Sequence, residues 1–321
     1  MDRLSALTDR APRMLDDLAA LVGVESPSDD LAACRAVVAA TAELGTDLLG
    51  QRPEVLEVGA LHQAGEAAGA VRTHLRWRFG EGRVLLVGHL DTVWPLGTLA
   101  VRPFSVEAGV VTGPGCFDMK AGVVQALHAL TTLDDLEGIE VLLTTDEELG
   151  SQTSRALVEE GARRARAALV CEPAADGGAL KVGRKGTGMY TFVVSGRSAH
   201  AGLEPEKGAN ALVEAAYLVL ALGSVGWPEV GTTVTPTVAA AGTATNVVPS
   251  EARVEVDVRV AQPGEAERVD AALRALAPTV PGCRLEVHGG PNRPPMPASG
   301  GAALWAKACS AATSLGLPQL T

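Results

Sequence analysis

No CxxC pair occurs anywhere in the 321 residues, and the five cysteines (Cys34, Cys116, Cys171, Cys283 and Cys309) are odd in number and far apart. Neither a disulfide framework nor a cysteine zinc site is suggested, and a reduced, cytoplasmic chain is expected. No stretch approaches ~18 unbroken apolar residues, which argues against a spanning helix. The first 24 residues carry scattered charges and lack the apolar core of a signal peptide. Positive charge is in short supply, with 27 basic against 38 acidic residues and a net charge of −11. That balance argues against nucleic acid or an anionic membrane as a partner, and the acidity itself reads as solubility. No GxGxxG follows a predicted strand, which removes a dinucleotide-dependent oxidoreductase. There is no internal repeat.

What remains is ordinary globular composition, 47% hydrophobic and 20% charged, in a chain long enough for two domains. In the first half, the apolar runs 83–88, 139–145 and 167–171 read as buried strands. Helical spacing lies between them at Met119 to Leu133 and around Arg155 to Arg166. Strands alternating with helices predict a mostly parallel sheet flanked by helices, with its chemistry at the carboxyl ends of the strands. After Gly183 the pattern changes. Strand 189–195, helix 208–222, strands 233–240 and 252–260, helix 264–277 and strand 284–288 follow the split βαβ order of a ferredoxin-like α+β module. The Pro/Gly-rich segment 289–301 marks a boundary. The expected domains are 1–182, an inserted module at 183–291, and a return to the first domain at 292–321. There the helix Ala302 to Leu315 should pack its apolar face (Leu304, Trp305, Ala308, Ala312) on the first domain.

Four segments carry chemistry. In GHLDTVWPLGT (88–98), His89 ends a strand and Asp91 follows two residues on. A neutral imidazole suits zinc, and a nearby carboxylate can fix its tautomer; a surface histidine beside a turn aspartate is the plainer alternative. In GPGCFDMKAG (113–122), Asp118 stands where a loop opens a helix, a position that also suits helix capping. In TTDEELGS (144–151), three acids follow an apolar strand, where a dication would relieve their repulsion. In LVCEP, Glu172 again ends an apolar strand. Nitrogen and oxygen donors without thiolate suit zinc, manganese or cobalt, and carboxylates shared between two ions form a two-metal hydrolase. His62, His74, His128 and His288 read as structural.

These blocks, with SGRSAHAG (195–202) and TNVVPSEARVEVDVR (245–259), resemble the zinc-dependent exopeptidase and aminoacylase family. That family includes glutamate carboxypeptidase, acetylornithine deacetylase, succinyl-diaminopimelate desuccinylase and aminoacylase, and the glutamate carboxypeptidase branch is the most similar. The resemblance implies a two-zinc site, with Co²⁺ or Mn²⁺ possible in place of zinc. His89 and Glu172 would bind one metal, Asp118 would bridge, and Glu148 would bind the second. Glu147 would be the general base and acid, and Asp91 would orient His89. His200 would polarise the scissile carbonyl across a homodimer interface made by the inserted lid, and Asn246 and Arg259 would bind substrate, Arg259 at a carboxylate. Lys185 and Arg184 either add anion selectivity or form a solvated basic turn. The family places a last histidine ligand near its C-terminus, and none follows His288 here. A truncated sequence with an incomplete second metal site is therefore expected. The activity implied is hydrolysis of the amide of N-acyl amino acids or small peptides with a free C-terminal carboxylate. A biosynthetic deacetylase or desuccinylase, and an inactive binding protein on the same fold, are the alternatives.

Overall fold

The structure is a computed structural model that describes residues 3–59 and 71–321. His62 lies outside the described residues. The chain divides into two compact units, Met1–Gly177 and Gly178–Thr321.

The first unit runs α1 (Arg3–Asp9), α2 (Ala11–Val22), α3 (Leu31–Leu49), β1 (Glu54–Gly59), β2 (Val71–Phe79), β3 (Val84–His89), α4 (Thr98–Val101), β4 (Ser105–Glu107), β5 (Val110–Thr112), α5 (Ala121–Leu130), β6 (Ile139–Thr144), α6 (Arg155–Arg164) and β7 (Ala167–Val170). Its main sheet has the order β1-β2-β6-β3-β7. The three expected strands, β3, β6 and β7, are mutually parallel, while β2 runs antiparallel to both β1 and β6. Four of the five strands thus point one way, and the sheet is mostly parallel as expected. The strand β2 was not anticipated: in VRTHLRWRF a basic residue stands at every second position from Arg72 to Arg78, and of these Arg72 and His74 are buried. On β3, Leu86 joins the core that includes Trp77, Val123 and Leu127, while Leu85 lies against Gly161 of α6. Helices therefore cover both faces, which is what buries a parallel strand on two sides.

The second unit runs β8 (Gly186–Ser195), α7 (Ala211–Gly223), β9 (Thr233–Ala241), β10 (Glu251–Val260), α8 (Glu265–Arg274), β11 (Arg284–Arg293) and α9 (Ala302–Ser314). The antiparallel sheet β11-β8-β10-β9 has the predicted ferredoxin-like order. Burial alternates residue by residue along β8 and β10, so Tyr190, Phe192, Val194, Val254, Val256 and Val258 all face one core with Leu218, Leu222 and Leu273. Helix α7 starts at Ala211, later than the spacing suggests, because Asn210 Oδ1 accepts the N–H groups of Leu212 and Val213 and caps it.

Two expectations need correction here. The boundary at residue 289 falls later, since β11 continues to Arg293 through Gly289, Gly290 and Pro291. A proline survives there because β11 is an edge strand, with a shift of register beside it. Helix α9 exists, but of its expected apolar face only Ala312 is buried; Trp305 and Ala308 are half-buried and Leu304 is exposed. Residues 292–321 are counted with the second unit, where Arg184 pairs with Met296 and Leu180 N–H donates to the Thr321 carbonyl.

Candidate metal centre

Register brings the candidate residues of the first unit together. His89, the last residue of β3, pairs with Thr144 at the end of β6, and Val87 pairs with Val170 at the end of β7. The three strands are parallel, so the loops that follow leave the same edge. They carry Asp91, Glu147 with Glu148, and Glu172. Asp118 arrives from the turn Cys116–Lys120, which leads into α5. Gly122 makes that approach close: a Cβ there would lie 1.9 Å from the Cys171 carbonyl oxygen, so only glycine lets α5 begin against the chain leading to Glu172.

The imidazole of His89 is the centre of the cluster and is buried. Its Nδ1 lies 2.9 Å from the Asp91 carbonyl oxygen and 3.4 Å from Asp91 Oδ1. A proton on Nδ1, donated to that carbonyl, leaves Nε2 as the free lone pair. Nε2 lies 3.1 Å from Asp118 Oδ1 and 3.6 Å from Glu172 Oε1. Asp118 thus faces the imidazole and does not cap α5, which has no side-chain cap. Two overlapping groups could hold a metal ion: His89, Glu147 and Glu172, and His89, Asp118 and Glu148. In each, one ligand atom per residue lies within 4.8 Å of the others. Donors bound ~2.0–2.2 Å from one ion stand up to about 4 Å apart, so small side-chain movements close either group.

The electrostatics are those of a site awaiting positive charge. Burial works against a charged His89, yet Asp91, Glu172 and Glu147 raise its pKa to about 10. Burial pushes Glu172 up, and Asp118 and Glu147 push it further. Glu148 is raised by burial and by Asp118, Asp91 and Glu147. A dication would cancel this mutual repulsion, and the donor set of imidazole nitrogen and carboxylate oxygens fits one.

Asp91 does more than the sequence suggests. Its main-chain carbonyl is nearer to His89 than its carboxylate is. The buried carboxylate accepts the Ser28 hydroxyl at 2.7 Å, the Glu147 N–H at 3.3 Å and the Glu148 N–H at 3.2 Å. One residue thereby fixes the imidazole and the paired glutamates. Ser28 was missed, since a lone serine far upstream gives no signal. Asp146, the first of the three acids, turns inward. Burial pushes its pKa up, but bonds from Ser154 and Thr153 hold it below the usual carboxylate value. Thr153 also hydrogen-bonds His74 at 3.0 Å.

The other histidines behave structurally. His74 and His128 are buried, and His128 lies 2.7 Å from Asp17; His288 is exposed beside Glu286. In the second unit, His200 is exposed and its Nδ1 accepts the N–H groups of Gly202 and Leu203, each at 3.2 Å. Asn246 gives its main-chain carbonyl to the Ala201 N–H. Arg259 forms a two-point ion pair with Asp257 at 2.8 and 2.9 Å.

Residues 182–282 match the M20 peptidase dimerisation domain. The chain is 34% identical to carboxypeptidase G2 of Pseudomonas sp. (strain RS-16) over 281 residues, 84% of this chain and 65% of that protein. By these matches the chain is similar to the M20 peptidases. It is also 31% identical to acetylornithine deacetylase of Myxococcus xanthus, over 61% of this chain and 54% of that protein. It thus spans between about half and two thirds of these curated relatives. The fold is shared with aminopeptidase PepT from Bacillus cereus ATCC 10987, with a TM-score of 0.71 at 22% identity over 97% of this chain and 83% of that one. A Bacillus subtilis protein described as a dinuclear metal binding peptidase from the M20 family shares it too, with a TM-score of 0.55 at 16% identity, over 97% of this chain and 81% of that one. Among the described residues no helix is long and apolar enough to cross a membrane.

Proposed function

We propose that this chain is a metal-dependent hydrolase. Its substrate is the amide bond of an N-acyl amino acid or small peptide with a free C-terminal carboxylate. The observation that carries this reading is the convergence of one buried imidazole and four carboxylates from four segments of a single sheet edge. His89, Asp118, Glu148 and Glu172 would hold two dications, with zinc preferred and cobalt or manganese acceptable to the same donors. When bound, such ions polarise the carbonyl and lower the pKa of water.

The chain's own residues do the rest. Glu147 takes a proton from the attacking water and returns it to the leaving amine. Asp91 keeps Glu147 in position through its N–H and keeps His89 in one tautomer. His200 accepts two N–H bonds at Nδ1, so its neutral ring carries the proton on Nε2 and can donate it to the developing oxyanion. Asn246 and Arg259 take the substrate, the guanidinium of Arg259 serving its carboxylate. Asp257 fixes that guanidinium in orientation.

The chain acts as a homodimer through residues 183–291, so that His200 serves the site of a second copy. Exposed Leu212, Val213, Tyr217 and Leu220 on α7 support that reading, because they form an apolar stripe on the outer side of the helix. A biosynthetic deacetylase or desuccinylase would use the same residues on a different acyl group.

The test is a panel of N-acyl amino acids and dipeptides, assayed with metal, with chelator, and after metal is restored. Hydrolysis should require metal and a free carboxylate. Stoichiometric metal binding with no hydrolysis across the panel would leave a binding protein on the same fold.

A further inference from the structure

Phe117 is 72% exposed on the turn that delivers Asp118. Its neighbours Cys116 and Met119 are buried, so Phe117 and Asp118 are the two side chains of this turn that face outward. The turn is pinned at both ends. Gly115 takes φ +68°, and a Cβ there would lie 2.4 Å from Thr92 Cγ2, which holds the turn against the loop that follows Asp91. The buried Lys120 ammonium donates to the carbonyls of Leu21 at 3.0 Å and Val24 at 2.8 Å. The Lys120 N–H donates to the Gly115 carbonyl at 3.0 Å. A phenyl ring on so fixed a turn contributes little to the core and is held ready for contact elsewhere.

A single exposed apolar residue would need no explanation. Here there are several, on the same chain segments as the candidate ligands. Val93 and Leu96, 68% and 57% exposed, follow Asp91, and Leu149, 37% exposed, follows Glu148. Leu169 and Val170, 41% and 57% exposed, precede Glu172, so all four segments that supply the acidic centre carry exposed apolar side chains. Trp94, in the same loop as Val93, is stacked under Arg102 at 4.7 Å.

We infer that Phe117 is a specificity-determining residue, which holds an aromatic or branched aliphatic group flanking the scissile amide. Val93, Leu96 and Leu149 extend the same apolar rim. This rests on the hydrolase reading for the identity of the bond, while the preference for an apolar flank stands on the exposed side chains. A ring offered to an aromatic acyl group gains offset or edge-to-face packing that an acetyl group cannot provide.

The experiment measures calorimetric binding of N-benzoylglycine and N-acetylglycine to the metal-loaded chain, and hydrolysis of both. Wild type should bind the benzoyl compound at least about tenfold more tightly, the scale on which apolar pockets discriminate. Phe117→Ala should erase that preference, and Phe117→Trp should retain it. A preference that survives Phe117→Ala, or a wild type that has none, overturns the inference. A preference that depends on Phe117 without hydrolysis of either compound upholds the inference and overturns the hydrolase reading. A wild type that binds neither compound overturns both.

Discussion

Among its described residues the first unit buries seven histidine, lysine or carboxylate side chains to 2% exposure or less: His74, His89, Asp91, Lys120, His128, Glu140 and Asp146. To that extent the second buries only Glu214 among its described residues, with Glu265 at 8%, and packs the rest of its core from valine, leucine, alanine and aromatic side chains. Buried charge is costly unless it is paired and hydrogen-bonded, so the first unit needs its polar networks to be complete. In the second unit, Glu214 accepts the N–H groups of Thr279 and Val280 and serves only to tie a loop. Chemistry and stability are thus entangled in one unit and separate in the other.

The largest effect should come from separating them in the first unit. Glu147→Gln keeps the side-chain shape and the N–H bond to Asp91 but removes the proton carrier. Turnover should fall roughly 10²–10⁴-fold, the usual span for general acid–base work, while bound metal and thermal midpoint stay the same. Steady-state kinetics with elemental analysis checks this, and activity within a few-fold of wild type would remove Glu147 from the mechanism.

In the second unit the largest effect should be on folding. Phe192 is fully buried among Val194, Val254 and Leu273. Truncation to alanine should cost about 3–5 kcal/mol. Denaturant titration should show that loss with the metal content of the first unit unchanged, and a joint loss would mean that the two units do not behave separately.

Gly122→Ala sharpens the comparison from the other side. Its new Cβ would fall 1.9 Å from the Cys171 carbonyl oxygen, and a main-chain atom cannot rotate out of the way. Overpacking of this kind costs typically ~1–3 kcal/mol. Because the displaced segment leads to Glu172, metal affinity should fall along with stability. Denaturation and metal titration on the same sample check both, and a stability loss at full metal affinity would show the site to be less rigid than this packing implies.

Most of the fold was legible because hydrophobic period is a strong signal. The runs ending at His89, Thr144 and Val170 are apolar enough to be strands in any context, and the second unit alternates faithfully. The strand β2 was not legible, since Arg72, His74, Arg76 and Arg78 break the apolar pattern; Arg72 and His74 are buried by partners that only the tertiary fold supplies, such as the Ser28 carbonyl at 2.7 Å from Arg72. In the candidate site, strand ends pointed to His89, Glu147, Glu148 and Glu172 and a loop–helix junction to Asp118, and the structure brings these five together. The double role of Asp91 was hidden because its partners come from residues 28, 147 and 148. Nothing in the spacing of DEE separates Asp146, turned inward onto Thr153 and Ser154, from the two acids that face His89.

The smallest effect is a pH dependence confined to the second unit. Glu265 is gripped by Arg268, at 2.7 and 2.8 Å, and by the Thr232 hydroxyl at 2.7 Å. The hydrogen bonds from Arg268 and then Thr232 draw its pKa down to about 2 from the ordinary 4.5. A depressed carboxylate binds its proton more weakly folded than unfolded. The stabilisation is therefore fully present above pH 4.5 and is lost as pH falls from there toward 2. Glu265→Gln cannot ionise, so it should unfold with a shallower pH dependence across that window and show a modest, pH-independent loss above it. Thermal melts of wild type and variant between pH 6 and 2.5 give the comparison. Because Glu265 is remote in sequence from His89, Asp118, Glu147, Glu148 and Glu172, metal binding at neutral pH should not change. If the two proteins lose stability in parallel on acidification, the pairing with Arg268 contributes nothing, and the acid sensitivity belongs to other groups, such as Asp270 paired with Arg274.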